Sequence, residues 1–155
     1  SCSRQGGHSP ETWKSSAAAA MAVTSLSPAN AAEEASEPFT CIALESFKDA
    51  AADTQQVRIN NFSVRETPAV ASPGTMEIEI TYAIANRMDR PINVSGDFLL
   101  LDHREKPLVA MNADPLLNTV QPGKTETGRG ATFVGEGALM KAKQICLRIF
   151  TTWRK

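Results

Sequence analysis

Beyond residue 31 the chain carries two cysteines, Cys41 and Cys146, and a single histidine, His103. Hydrolytic chemistry of the common kinds needs a base that titrates near neutrality, most often His. His103 sits between Asp102 and Arg104 in a polar stretch that reads as a turn, and nothing in the sequence marks a nucleophile for it. The expected role of His103 is an exposed turn residue. Metal sites need clustered ligands, which one His and two Cys expected to pair with each other do not supply. Met76, Met88, Met111 and Met140 are spread along the chain, and core filling is their expected use. Glu77 and Glu79 share one face of a strand, which reads as a solvated face rather than a catalytic pair. There is no Gly-rich phosphate loop, HExxH motif or nucleophile elbow, and Gly128-Arg129-Gly130 is too short for phosphate binding. The expectation is a protein without catalytic residues, metal or cofactor.

The cysteines take their meaning from the leader. Arg4, His8 and Lys14 precede the apolar run Ala17–Val23, and Ala29-Asn30-Ala31 follows Ser25, Ser27 and Pro28. A basic lead, a short apolar middle and a small-x-small site are the three parts of a secretory signal peptide. Residues 1–31 are therefore expected to be cleaved, leaving an exported chain in the periplasm or outside the cell. The rival reading makes Cys2 the acylated first residue of a lipoprotein anchored at the outer membrane, with residues 3–39 as an Ala/Ser-rich tether. Either reading puts the domain in an oxidising compartment, where an even cysteine count predicts a Cys41–Cys146 disulfide. Two buried free thiols are the alternative. No segment approaches the roughly 20 apolar residues of a membrane-spanning helix. A net charge of −1 carries no global signature of nucleic-acid binding.

The elements that must position these residues read mostly as strands. Residues 32–39 form an acidic lead-in expected to be disordered, and 40–155 a single domain. Residues 40–52 fit a helix or a strand, with Ala50-Ala51-Ala52 tilting slightly toward helix. Val57 and Ile59 then alternate in one phase and Phe62 and Val64 in the other, so a bulge or break is expected at Asn60-Asn61. The cleanest pattern is 75–86: Met76, Ile78, Ile80, Tyr82 and Ile84 toward a core, Glu77 and Glu79 toward water. Asn86 to Pro91 is a turn, and a strand starts at Ile92. Ser95-Gly96 reads as an interruption before Phe98–Leu101. His103–Lys106 is a turn, 108–111 pairs back, 116–120 is a short apolar stretch, and Pro122-Gly123 is a turn. Gly128 and Gly130 suggest that strand 125–134 is bent or closely approached. Residues 135–142 suit one helical turn and 145–153 the last strand. Short strands at such intervals predict an all-β antiparallel sandwich with at most one or two short helices.

One order of signals is familiar. Ile84-Ala85-Asn86 is followed by Asp89-Arg90-Pro91-Ile92 and then by Asp97-Phe98-Leu99-Leu100-Leu101-Asp102. Later come Val120-Gln121-Pro122-Gly123-Lys124-Thr125-Glu126-Thr127-Gly128 and Ala131-Thr132-Phe133-Val134. Across residues 55–150 this resembles the immunoglobulin-like, telokin-like domains of bacterial exported proteins and lipoproteins. The resemblance implies an immunoglobulin-like topology and a binding, adaptor or accessory module of the cell envelope. It carries no catalytic residues to transfer. It also implies a bacterial source, in which the acceptor-like Asn61-Phe62-Ser63 and Asn93-Val94-Ser95 would not be glycosylated.

Two segments are candidates for a contact surface. One holds Leu139 and Met140, apolar on a stretch too short to bury both. The other holds Phe150, Trp153 and Arg154 near the C-terminus. Lys141, Lys143, Arg148, Arg154 and Lys155 make this region basic and free of acids. Aromatic anchors among charges suit a protein interface. The alternative is that Leu139 and Phe150 close the bottom of the sandwich. The reading that results is a non-enzymatic exported binding module whose partner is an extracytoplasmic protein with an acidic face. The rival is an inhibitor or immunity-type protein that blocks an extracytoplasmic enzyme through a protruding loop.

Overall fold

Alternation of apolar and polar residues sets most of the elements. The computed structural model describes residues 38–154, together with the backbone of three short strands nearer the start. These are β1 (Gly6–Gly7), β2 (Glu11–Lys14) and β3 (Ala20–Val23). After them come β4 (Thr40–Ala43), β5 (Ala51–Asp53), β6 (Val57–Pro68), β7 (Met76–Asn86), β8 (Ile92–Leu101) and β9 (Pro107–Asn112). β10 (Thr119–Val120), β11 (Thr125–Val134) and β12 (Gln144–Arg154) complete the set. Among the described residues, helical structure is limited to 3-10 segments at Leu44–Asp49 and Leu116–Asn118 and one turn, α1 (Ala138–Lys141). One sheet is built on the β12–β8 pair, flanked by β4, β9, β10 and β1, and the other runs β11-β7-β6-β5-β2-β3. Pairings are antiparallel throughout, so the chain is an all-β antiparallel sandwich. The leader's Ala29-Asn30-Ala31 and residues 32–37 of the lead-in lie outside the described residues.

The inner faces follow the period of two. β7 contributes Ile78, Ile80, Tyr82 and Ile84, and β12 contributes Ile145, Leu147, Ile149 and Trp153. In β6 the register slips between Asn60 and Ser63, and Asn61 takes a left-handed φ of 57°. That bulge absorbs the phase change, so Val57, Ile59 and Phe62 are all buried. Met76, at the mouth of the strand, is only half-buried. Glu79 does point outward, but Arg65 (2.6 Å) and Arg129 (3.4 Å) close over it and leave its side chain 15 % exposed. Ile80→Ala is expected to cost about 2–5 kcal/mol, because it empties a fully buried site. Glu79→Ala is expected to cost about 1 kcal/mol or less, since the two arginines that pair with it are themselves 65 % exposed to water, where ion pairs contribute little. Urea unfolding of the two variants checks this, and equal losses would mean that the faces are misassigned.

Two stretches depart from their sequence reading. Ser95-Gly96 does not interrupt β8, which runs unbroken. A Cβ on Gly96 would stand 2.8 Å from the Ala113 carbonyl oxygen and 3.1 Å from the Tyr82 hydroxyl, so the glycine admits a close approach within the strand. Residues 40–52 are neither one helix nor one strand. β4 belongs to one sheet and β5 to the other, and the 3-10 segment between them carries the chain across and drops Phe47 into the core. Ala50 and Ala52 are each 1 % exposed. Their small side chains let β5 lie close to the core, and that packing outweighs the helix preference of an Ala run.

Phe47, Phe62, Tyr82 and Phe98 form an aromatic cluster with centroid separations of 5.0–6.2 Å. The Tyr82 hydroxyl donates to the Ala113 carbonyl at 2.7 Å. Asn86, 2 % exposed, ties two loops together. Its Nδ2 donates to the carbonyls of Arg90 (2.8 Å) and Val120 (3.0 Å), and its Oδ1 accepts from the Met88 amide (2.8 Å). Every polar atom of the buried amide is thereby matched.

Candidate functional site

The strand period sorts the C-terminal candidates. Odd-numbered residues of β12 point inward and even-numbered ones outward. Trp153 is therefore a core residue, 9 % exposed and packed in the main cluster, which corrects its reading as a surface anchor. The strand continues to Arg154, with Trp153 opposite Ile92, so the alternation never relaxes near the end. Phe150 lies on the outer face, half-buried, and Arg154 is exposed. Leu139 packs partly against the core from α1, while Met140 on the same turn is 85 % exposed. The strand between α1 and Arg154 is 11 residues long, which spans about 33 Å. Leu139 and Met140 therefore do not share one patch with Arg154.

The basic run is also broken in the middle. Arg148 Nε donates to Asp97 Oδ2 at 2.8 Å, with both side chains about one quarter exposed. Its guanidinium sits 4.3 Å from the centroid of the Phe39 ring and 5.7 Å from that of Phe150. Asn112 Nδ2 also donates to Asp97. A shallow cleft of about 230 Å³ between Phe39 and the sheet is lined by this group with Leu99 and Ala110. One row away on the same outer face, Cys41 and Cys146 stand directly opposite each other and form the disulfide, with Cα atoms 3.9 Å apart.

At the α1 end, Glu66 from β6 accepts from the amides of Gly137 (3.1 Å) and Leu139 (2.9 Å), anchoring the turn from below. Phe133, near the end of β11, is 64 % exposed on the outer face opposite Glu77. A recess of about 260 Å³ beside it is lined by Leu108, Val134, Ala138, Glu136 and Lys141. Phe133 was not singled out by its sequence. The outward parity of Thr127, Arg129 and Ala131 in the same strand was the signal available.

The opposite end carries a tip. Leu116 and Leu117 are 82 % and 84 % exposed. Within the short apolar stretch 116–120, only Val120 is buried. Beside the tip, Asp114 and Arg129 exchange backbone hydrogen bonds of 3.2 and 3.0 Å that join β11 to the other sheet.

His103 lies exposed in its turn. The neighbouring Asp102 carboxylate accepts from the backbone amides of Lys106 (3.0 Å) and Arg104 (2.8 Å). The Lys106 amide is the larger cause holding Asp102 below the usual carboxylate range. Its bonds shape the turn. Burial pushes the Tyr82 phenol well above its ordinary value, with Asp114 and Asp97 adding to the effect. Among the described residues no group of three or more His, Cys, Asp or Glu is placed to hold a metal ion, and no helix is long and apolar enough to cross a membrane.

No protein-family model matches the chain, and no curated protein matches it. Among solved structures it is similar to an uncharacterized beta-sandwich protein from Clostridium difficile 630. The two are 12 % identical, the match covers 65 % of this chain and 87 % of that chain, and the TM-score is 0.41.

Proposed function

We propose that this chain is an exported, non-enzymatic binding or accessory module of the cell envelope, built on an immunoglobulin-like sandwich and acting through protein–protein contacts. The observation that carries it is the α1 end, where Met140 and Phe133 are held out to solvent on a hydrogen-bonded frame. Large, soft apolar side chains on a rigid support are what protein interfaces favour at their centre. Lys141 and Glu136 at the rim of the recess offer a partner one charge of each sign to pair with. The partner surface is accordingly Met140 and Phe133 with the half-buried Leu139. Trp153→Ala would report on the core instead.

Intact mass of protein from an exporting host should show loss of residues 1–31. Full retention, or a lipid mass on Cys2, overturns cleavage. For binding, Phe133→Asp combined with Met140→Asp is expected to weaken a partner recovered from the extracytoplasmic fraction at least about tenfold. That corresponds to losing the burial of one or two large side chains. The melting temperature should stay within a few degrees, because both side chains are exposed. Unchanged affinity with an intact fold would remove this surface from consideration.

A further inference from the structure

β11 is an edge of its sheet, and part of its free side is open in a way that other edges of the sandwich are not. All ten of its residues pair with β7 on one side. On the other side Arg129 exchanges both backbone bonds with Asp114. Backbone groups alternate sides along a strand, so Thr127, Ala131 and Phe133 turn their N–H and C=O groups the same way as Arg129. Thr127 shares a recess with Leu116 and Asp114. Toward α1, the outward groups of Ala131 and Phe133 bond no described residue. Natural edges are commonly guarded by charge, proline, a bulge or brevity. β9 starts at Pro107 and its ladder to β8 carries a register shift, β10 has two residues and β4 has four. Gly130-Ala131-Thr132-Phe133-Val134-Gly135 holds no charge and no proline, and its ladder to β7 runs to Val134 without a shift.

We propose that this edge pairs with the same edge of a second copy of the chain, antiparallel about a twofold axis, so that one sheet runs on across a homodimer. The register singles out the occupant. Asp114 withdraws Arg129, which leaves Ala131 and Phe133 open on each copy. One twofold register uses both: Ala131 opposite Phe133 of the second copy, and the reverse, each pair exchanging N–H···O bonds in both directions. The same register matches the side chains. On the outer face the exposed Phe133 ring meets the small, exposed Ala131. On the inner face Val134 stands opposite Gly130, and on the axis Thr132 stands opposite itself, a favourable cross-strand pair. Every large side chain faces a small one and no like charges are opposed, so the segment is complementary to its own copy. The contact is small, and its dissociation constant should be on the order of 10–100 μM. This inference goes beyond the α1-end reading. Phe133 belongs to both, but Met140 lies on α1 and takes no part in the ladder.

The purified full-length protein tests this without any other component. Sedimentation velocity should find monomer at about 2 μM and mostly dimer at about 500 μM. Ala131→Pro removes an N–H that the β7 ladder does not use, so the fold should survive while dimerisation weakens at least about tenfold. Ala131→Lys, which puts a charge opposite Phe133 of the second copy, should weaken it as much and decides the matter if the proline variant does not fold. Met140→Asp should leave the dimer unchanged and still weaken the partner of the α1 end, so the two readings can fail separately. Hydrogen exchange followed by NMR reads the register. The Ala131 and Phe133 amides should exchange more slowly as concentration rises, and the Thr127 amide should not. A protein that stays monomeric to about 500 μM overturns the proposal. So does a dimer of parental strength in Ala131→Lys, or concentration-dependent protection confined to other amides.

Discussion

Replacing Cys41 and Cys146 together with alanine is expected to lower stability by about 4–5 kcal/mol, and the melting temperature by about 12–20 °C. The two residues are 105 positions apart, so the bridge closes most of the described chain into one loop. Cross-linking so long a loop removes much of the freedom of the unfolded chain, and that is where the effect should reside. The folded state loses little in comparison. The bridge lies on the outer face of its sheet, and β4 keeps its four-residue ladder to β12, the buried Ile42 and the Leu44 amide's bond to the Lys143 carbonyl (3.0 Å). Calorimetry without reductant should therefore show a lower, still cooperative transition, with the far-ultraviolet circular dichroism unchanged. Reductant should lower the melting temperature of the parent and leave the variant alone. A loss below about 1 kcal/mol would mean that the unfolded chain is already confined by other means.

Gly130→Ala is the single substitution expected to do most harm, about 3 kcal/mol or more. A Cβ at this position would fall closer than 3.0 Å to the carbonyl carbon and oxygen of Asn112 and to the Cα of Ala113, a distance real Cβ atoms essentially never show. All three are backbone atoms, so no side chain can swing aside. β9 or β11 would have to move, and the Asp114–Arg129 bridge that joins the two sheets there would be broken or stretched. Gly135 is the matched control. Nothing lies within 4 Å of its Cβ position and its φ is not left-handed, so Gly135→Ala should change stability by no more than about 1 kcal/mol, toward stabilisation. Equal losses for the two variants in urea unfolding would refute the close approach at Gly130.

The fold was legible where one local rule governed. The unbroken alternation of 76–86 gave a strand and its faces, the phase change at Asn60-Asn61 gave the bulge, and Pro122-Gly123 gave a turn. Gly128 and Gly130 pointed to a tight place in β11, though not to Tyr82 and Asn112 as the groups that fill it. The cysteine pair could be read from count and expected compartment alone. The Ala50–Ala52 run misled, because its local preference for helix is worth a few tenths of a kcal/mol per residue against the packing of a strand paired on both sides, with β6 and β2.

The sequence by itself determined the sandwich class, most strand positions and the inward set Ile78, Ile80, Tyr82 and Ile84 of β7, and it favoured the pairing of Cys41 with Cys146. Each follows from the two-residue period of a strand or from a count. Only the tertiary structure decided which apolar residues stay outside. Trp153 and Met140 both looked like candidates for a surface, but the parity of β12 buries the first and the shortness of α1 exposes the second. Nothing in the sequence marked Leu116 and Leu117 as exposed, because hydrophobicity carries no information about which way a turn faces. Their exposure follows from the left-handed backbone at Leu117 and Asn118. That backbone is held by bonds within residues 115–119 and by the reach of the Asn118 side chain to the Val94 carbonyl, 24 residues away.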